Sequence, residues 1–193
     1  MGTPFAVQYL PEITFTETTD CNAGTATFTI LGGLPEMDGS NYTASNLLPA
    51  TATFDNTTAS HNGTITISGL QHGDMYSFDI IDVNGCPITI TGGPFVATPI
   101  ADAGTDDTEC SLTYALSANP SYGTGSWSGP AGVTFSNATS ATSNVTVTAA
   151  GRYDLTWKET TGAGCCSSDI VTVQFSKVQY TEVVNKFSCG NAE

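Results

Sequence analysis

The side chains with the most distinctive chemistry in this sequence are six cysteines. No two of them form a C-x-x-C pair, and His61 and His72 are the only histidines, so a zinc site of ordinary spacing is not supported. Wide cysteine spacing in a threonine-rich, lysine-poor chain is typical of disulfides formed in an oxidising compartment. We therefore expect a disulfide-stapled extracellular protein that uses Cys21, Cys86, Cys110 and Cys165, with the pairing of Cys166 and Cys189 left open.

Acid–base and nucleophilic catalysis find little support in the sequence. His61 and His72 lie in polar, turn-like segments without a recognisable serine or cysteine nucleophile beside them, and are interpreted as surface residues. A glycosidase needs two carboxyl groups at a defined separation. Asp79 and Asp82 are three residues apart on a predicted strand, so their side chains face opposite sides. The sequence predicts a non-enzyme with no catalytic residues and no organic cofactor.

Four carboxylates crowd together shortly after the middle of the chain, at Asp102, Asp106, Asp107 and Glu109. Crowded carboxylates repel one another unless a cation or solvent relieves them, and hard oxygen ligands suit calcium. One interpretation is therefore a structural Ca²⁺ site at these residues. The other is a solvated acidic loop, since the twelve-residue EF-hand pattern is absent.

The charge balance excludes several classes of partner. The formal net charge is −14, with only four lysines and arginines in 193 residues. A phosphate backbone or an anionic membrane would require clustered cations, so neither nucleic acid nor a membrane surface is an expected partner. No apolar run approaches 18 residues, so we expect no membrane insertion. No signal peptide is visible at residues 1–4, and we expect the export signal to lie outside this fragment.

Strand signals recur along the chain, whereas helix signals are nearly absent. Period-two alternation rich in valine, isoleucine, threonine and aromatic residues is typical of half-buried strands. Frequent Gly, Pro, Asn and Asp turn signals between them favour β-sandwiches. The predicted strands are 13–16, 26–30, 64–67, 76–80, 88–91, 112–116, 144–148, 153–157 and 170–175.

The chain divides into four predicted segments. Residues 1–9 are a leader or linker, 10–97 and 98–177 are two β domains, and 178–193 repeat the order of residues 12–24, an alternating strand followed by a cysteine. The last segment is interpreted as the first strand of a truncated third repeat. The alternative makes it the last strand of the second domain, with Cys166 bonded to Cys189.

Two further motifs have structural and functional interpretations. Asn84-Gly85 predicts a type I′ hairpin turn, in which glycine tolerates positive φ. Trp127 and Trp157 sit in strand-like segments. They either pack in the core around a disulfide or form an exposed aromatic platform for sugars. The second interpretation supports an alternative function as a carbohydrate-binding accessory module of a secreted enzyme.

The end of the first domain carries a more specific pattern. Residues 69–86 read Gly-Leu-Gln-His-Gly-Asp-Met-Tyr-Ser-Phe-Asp-Ile-Ile-Asp-Val-Asn-Gly-Cys. This segment resembles the SprB-type repeat of gliding-motility adhesins and other giant surface proteins of the Bacteroidota. The signature of that repeat is Leu, Gly, an aromatic-alternating strand and Asp-x-Asn-Gly-Cys; here those roles fall on Leu70, Gly73, Tyr76, Asp82, Asn84, Gly85 and Cys86.

The second domain resembles the PKD-like and Ig-like repeats that accompany such units. Residues 101–110 look like their opening, and residues 125–128, 151–157 and 165–175 look like their later strands. The resemblance implies an all-β fold of tandem Ig-like β-sandwich domains. It also implies two disulfides, one joining Cys86 to Cys21 and one joining Cys110 to Cys165, with Cys166 as an extra residue.

The resemblance implies a function as well. Such proteins are long, secreted cell-surface adhesins or fibres, exported by the type 9 secretion system, that act in adhesion or gliding motility. This chain would then be a stalk or spacer whose partners are neighbouring repeats of the same chain, with surface glycans or lateral copies of itself as further candidates. Lateral copies would form filaments through the exposed edge strands.

Overall fold

The computed structural model describes residues 11–85 and 87–176. Backbone contacts divide the described residues into two compact units: unit 1 comprises 11–99 and Thr160–Ser167, and unit 2 comprises Ile100–Glu159 and 168–176. The predicted leader at 1–9 and the predicted third repeat at 178–193 lie outside the described residues. Within the described ranges, no helix is both long enough and apolar enough to cross a membrane.

Unit 1 is a β-sandwich of two four-stranded sheets. The first sheet has the strand order β1-β2-β6-β4 and the second has the order β5-β3-β7-β8. All strand pairs in both sheets are antiparallel. The elements are β1 (Thr14–Asp20), β2 (Thr25–Leu31), α1 (Pro35–Asp38), β3 (Asn41–Leu48), β4 (Thr53–Phe54), β5 (Thr58–Ser60), β6 (Thr64–Ser68), β7 (Tyr76–Ile81) and β8 (Pro87–Gly92).

Sequence alternation explains the core of unit 1. In β2 and β7 every second residue is buried, and the residues between them are only half-buried. Phe28 of β2 meets Phe78 of β7 edge to face, with ring centroids 5.0 Å apart, and this contact joins the two sheets. Such burial stabilises the sandwich by about 1.5–3 kcal/mol for each large apolar side chain.

Unit 2 is a second β-sandwich, with three strands facing four. The smaller sheet has the order β10-β13-β12, and the larger has the order β11-β14-β15-β9. β9 runs parallel to β15, with Phe175 opposite Glu109. The elements are β9 (Asp107–Glu109), β10 (Thr113–Ala115), β11 (Thr124–Ser128), β12 (Val133–Phe135), β13 (Asn144–Val147), β14 (Gly151–Thr160) and β15 (Cys166–Phe175).

Both tryptophans lie in the core of unit 2. Trp127 of β11 and Trp157 of β14 are 4% and 1% exposed, and their ring centroids are 5.2 Å apart. Trp127 also stacks on Phe135 of β12, which belongs to the facing sheet. The prediction that the tryptophans pack in a core is confirmed, but this core does not surround a disulfide, because the bonded Cys165 belongs to unit 1. The prediction of an exposed aromatic platform at these residues is wrong.

The described residues confirm the all-β fold class, and they include one short helix that the sequence pattern did not predict. Pro35 takes the first turn of α1, where its missing N–H is no loss, and Gly39 closes the helix with φ 74°. The helix occupies part of the connection between β2 and β3.

Candidate functional site

The described residues include a disulfide bond between Cys21 and Cys165. Cys21 follows β1 at the turn into β2. The Asp20 carboxylate shapes this turn, because its Oδ1 accepts the backbone amides of Asn22 at 2.9 Å and Ala23 at 3.1 Å. The carbonyl of Cys21 in turn accepts the amide of Thr98 at 3.2 Å. The cysteine is therefore held in a fixed turn by local polar contacts.

Cys165 occupies the other side of the disulfide, immediately before β15. It closes the β14–β15 connection, where the amide of Thr161 donates to the carbonyl of Cys165 at 2.8 Å. The residue is 8% exposed, and the segment Thr160–Ser167 belongs to unit 1. Its Cα atom is 6.4 Å from that of Cys21, within the usual range for a disulfide.

The disulfide pairing differs from the one that the family resemblance implies. Cys21 is bonded to Cys165, so Cys21 cannot pair with Cys86 and Cys165 cannot pair with Cys110. Pairing depends on which loops the fold brings together, and the fold packs the segment around Cys165 with unit 1. The implied bonds Cys21–Cys86 and Cys110–Cys165 are therefore wrong. Cys86 and Cys189 lie outside the described residues.

Two cysteines in the described part of the chain carry free thiols. Cys110 follows β9 and Cys166 begins β15, and both are exposed. Cys110 is therefore not bonded to Cys165, the partner that the resemblance implies. The interpretation of Cys166 as an extra cysteine stays a prediction.

Of the four carboxylates considered for calcium, Asp102, Asp106 and Asp107 each accept a hydrogen bond from a different donor. Asp102 Oδ1 accepts the amide of Gly104 at 2.9 Å, within its own turn. Asp106 Oδ1 accepts the amide of Thr172 at 2.8 Å, which ties the segment before β9 to β15. Each of these contacts satisfies a backbone donor with a carboxylate oxygen.

The other two carboxylates are in β9, where neither interpretation of the sequence placed a strand. Asp107 Oδ2 accepts the hydroxyl of Tyr114 at 3.1 Å. Burial and this hydrogen bond raise the pKa of Tyr114. Among the described residues, no three His, Cys, Asp or Glu side chains form a group that could hold a metal ion. The calcium site stays a prediction that this geometry does not favour.

An open depression beside β9 carries the one arginine of the sequence. Its volume is about 340 Å³, and Asp106, Asp107, Arg152 and Thr172 are among its lining residues. Arg152 Nε lies 3.3 Å from Asp154 Oδ1, and its Nη2 donates to Thr172 Oγ1 at 3.3 Å. The ion pair is well exposed, so it contributes at most about 1 kcal/mol.

Glu159 is a buried carboxylate that sequence reasoning missed. It is 0% exposed at the end of β14. Its oxygens accept the amide and hydroxyl of Ser121, the amide of Gly123 and the indole N–H of Trp157, the shortest of these bonds being 2.6 Å from the Ser121 hydroxyl. The signal was its position two residues after Trp157, which places both side chains on one face of a strand.

Burial and hydrogen bonding act in opposite directions on Glu159. Burial alone would raise the pKa of Glu159, but the hydrogen bonds from Ser121, Trp157 and Gly123 outweigh it and hold the pKa below its ordinary value. The group is therefore an ionised structural anchor for the loop that precedes β11. Four donors on one carboxylate leave little capacity for a proton-transfer role.

Asp79 and Asp82 were predicted to face opposite sides of one strand, but only Asp79 lies in β7, which ends at Ile81. Asp79 faces outward from β7, where its oxygens accept hydrogen bonds from Asn46 at 2.8 Å and Thr89 at 2.7 Å. Asp82 is 7% exposed at the end of the hairpin. His61 is half-buried and His72 is exposed, both in turns. These positions do not assemble a catalytic carboxylate pair.

The β7–β8 hairpin turn is not the predicted type I′ turn. The amide of Gly85 donates to the carbonyl of Asp82 at 2.9 Å, so the turn runs from Asp82 to Gly85. Gly85 has φ 74°, whereas the described non-glycine residues with positive φ are Asn46 and Asn62. Asn84 therefore lacks the positive φ that a type I′ turn requires.

The Asp82 side chain stabilises the same turn. Its Oδ1 accepts the amide of Asn84 at 3.0 Å, and its Oδ2 accepts the amide of Leu34 at 3.2 Å. The aspartate of the Asp-x-Asn-Gly motif thus joins the hairpin to the segment that enters α1.

Comparison with known proteins supports the fold of the chain. No protein-family model and no curated protein sequence matches it. The C-terminal 282-residue fragment of intimin, solved in complex with the intimin-binding domain of the translocated intimin receptor, matches with a TM-score of 0.54 and 14% identity. The match covers 84% of this chain and 63% of that fragment, so the chain spans less than two thirds of its neighbour.

Other solved structures match with lower scores. The insect immune protein hemolin has a TM-score of 0.42 at 14% identity, covering 90% of this chain and 49% of hemolin. Extracellular domains 3–5 of Drosophila OTK have a TM-score of 0.41 at 16% identity, covering 87% of this chain and 63% of theirs. At such identities the likeness concerns the fold alone. The intimin match and the strand topology together show tandem Ig-like β-sandwiches.

Proposed function

We propose that this chain is a non-enzymatic segment of a secreted cell-surface adhesin or fibre, acting as a stalk or spacer in adhesion or gliding motility. The observation that carries the proposal is the tandem of two β-sandwich units closed by the Cys21–Cys165 disulfide. Each unit has its own apolar core. The acidic side chains considered for catalysis, Asp79 and Asp82, accept backbone and side-chain hydrogen bonds. A folded, covalently closed module suits a spacer.

The positions of the lysine and arginine residues along the sequence also support an extracellular spacer. The sequence has no lysine or arginine before Arg152. Trypsin-like proteases therefore have no site in the first 151 residues, and Arg152 and Lys158 lie within β14. A strand within a sheet is a poor protease substrate until it unfolds. Resistance of this kind favours a function on an exposed cell surface.

The comparisons and the family resemblance support the adhesive context. The intimin fragment was solved bound to a receptor domain, which is a property of intimin. Export by the type 9 system and attachment to neighbouring repeats follow from the SprB-type resemblance. Lateral copies and surface glycans are further proposed partners. Among the described strands β1 and β8 each lie at the edge of a sheet, where backbone groups could pair with another copy.

The carbohydrate-binding alternative loses its main support. Among the described residues, the large aromatic side chains with more than a third of their surface exposed are Phe15, at 38%, and Tyr122, at 37%. These residues belong to different units and form no row on one sheet. A platform for sugar stacking would need several aligned aromatic faces.

The spacer function is tested by displaying the complete chain on a cell between a membrane anchor and a small epitope tag. With Lys177 and Lys186 replaced by glutamine, the remaining basic residues lie in β14, and we expect the tag to stay attached during trypsin treatment. A Gly/Ser-rich linker of equal length, carrying lysines at positions 152 and 158, should release it. Loss of the tag from both at equal rates would contradict the proposal. Specific binding on a glycan array would instead support the carbohydrate-binding module, and hydrolytic turnover would support an enzyme.

A further inference from the structure

The positions of the disulfide along the chain have a mechanical consequence. Cys21 follows β1 directly, and Cys165 directly precedes β15. The bond spans 144 residues of sequence. We propose that tension applied along the chain passes from β1 through the Cys21–Cys165 bond into β15, so that residues 22–164 are shielded from the load. This inference rests on the proposed function, because a spacer is pulled from both ends.

The shielded loop contains nearly all of the folded structure. Strands β2 to β14 and helix α1 all lie between the two cysteines in sequence. The buried core of unit 1 begins at Ala26 and ends at Phe95, so every member is inside the loop. Since a covalent bond closes the loop, unfolding this core cannot lengthen the chain. A spacer whose core unfolded under load would lengthen, and the disulfide prevents that.

Two strands remain outside the loop and can extend. β1 is exposed along its whole length and is held by its pairing with β2, the Phe15–Phe28 ring contact and a hydrogen bond from the Tyr76 hydroxyl to Glu17. β15 is held more firmly, because it lies between two strands and buries Val171, Val173 and Phe175. We therefore expect β1 to detach before β15.

Detachment of these strands is a limited and reversible extension. Their pairing partners β2 and β14 lie inside the loop, where the load does not reach them. Each partner strand can therefore keep its place as a template when the force falls. The chain can therefore extend reversibly over a short distance, and the disulfide prevents any further extension of residues 22–164.

Single-molecule pulling on the complete chain between two handles tests the inference. A reduced chain should extend further than the oxidised chain by about 470–520 Å, which is 144 residues at 3.3–3.6 Å each. Cys21→Ser should behave as the reduced chain without reductant. The matched control is Cys166→Ser, which removes an exposed free thiol and should behave as the oxidised parent. Cys21 is substituted rather than Cys165, because Cys166 lies next to Cys165 and offers a replacement thiol.

The length difference identifies the bond. A difference of about 210–240 Å would correspond to a bond between Cys21 and Cys86, 65 residues apart, and would overturn the inference. Equal lengths for the oxidised chain and the Cys21→Ser variant would also overturn it. These outcomes are independent of the display experiment, because a chain can carry the load through its disulfide and still fail as a spacer. A chain can also protect the tag although the load does not pass through a disulfide.

Discussion

At the scale of single residues, Glu159 shows how a buried charge becomes a structural anchor. Burial disfavours the carboxylate, yet its hydrogen bonds from Ser121, Gly123 and Trp157 outweigh that penalty. The residue therefore fixes the loop before β11 only while it is ionised. Removing either its charge or its donors leaves buried groups unsatisfied.

We expect Glu159→Gln to lower the free energy of unfolding by about 2–3 kcal/mol at pH 7, because the new amide N–H₂ faces backbone donors. The folded-state pKa of Glu159 lies below its ordinary value of 4.5. Its contribution is therefore present above pH 4.5 and is lost as the pH falls through the folded-state pKa. Urea unfolding at pH 7 and pH 3 should show a smaller difference between variant and parent at pH 3. Glu36→Gln, an exposed carboxylate in α1, is the control, and an equal loss there would contradict the anchor.

A second residue-scale prediction concerns Gly125, which lies in β11 directly over the Trp157 ring. A Cβ atom at this position would collide with the indole. We expect Gly125→Ala to destabilise the protein by about 1–3 kcal/mol through overpacking. Gly162→Ala is the matched control, because no atom lies within 4 Å of its Cβ position. Thermal unfolding followed by tryptophan fluorescence distinguishes the two, and similar midpoints would contradict the close packing.

At the scale of elements, substitutions in the β7–β8 turn distinguish between two hairpin geometries. In the observed turn only Gly85 needs positive φ, so Gly85→Ala should cost about 1 kcal/mol and Asn84→Ala less than about 0.5 kcal/mol. The type I′ turn predicted from Asn84-Gly85 would make both substitutions costly. Chemical unfolding of the two variants decides between the geometries.

The strands that the sequence predicted well are those with strong alternation. Segments 26–30 and 76–80 became β2 and β7, with every second residue buried. The sequence did not predict β3, because its pattern is polar and interrupted by the bulge near Asn46. It also missed β9, whose acidic residues have low strand propensity and pair through backbone groups with β15. Local pattern thus predicts the self-sufficient strands and misses those that tertiary pairing creates.

The candidate site was predicted less completely than the fold. The presence of disulfides followed from cysteine spacing, but pairing depends on which loops meet in three dimensions, and Cys21 met Cys165. The four carboxylates are close in sequence, yet the side chains of Asp102, Asp106 and Asp107 accept hydrogen bonds from separate donors. Glu159 had no sequence neighbour to suggest Ser121 as its partner, 38 residues away.

At the scale of the whole molecule, the disulfide is expected to be the largest single contribution to stability. In the chain-entropy treatment, closing a loop of 144 residues stabilises the folded state by about 5 kcal/mol. Cys21→Ser should therefore lower the melting temperature by at least about 8 °C, whereas Cys166→Ser should leave it within about 2 °C. Differential scanning calorimetry without reductant measures both, and equal shifts would contradict the assigned pairing.

The net charge of −14 also acts on the molecule as a whole. Self-repulsion among carboxylates destabilises the compact state, and raising NaCl from 0.01 to 0.15 M shortens the screening length from about 30 to about 8 Å. We expect the melting temperature to rise by about 2–5 °C over this range. Because the described carboxylates form no metal-binding group, CaCl₂ at equal ionic strength should produce the same rise. A larger rise with calcium that an Asp102→Asn/Asp107→Asn variant abolishes would establish the calcium site predicted from the acidic cluster, and would show that cation binding brings together side chains that are separate in this structure.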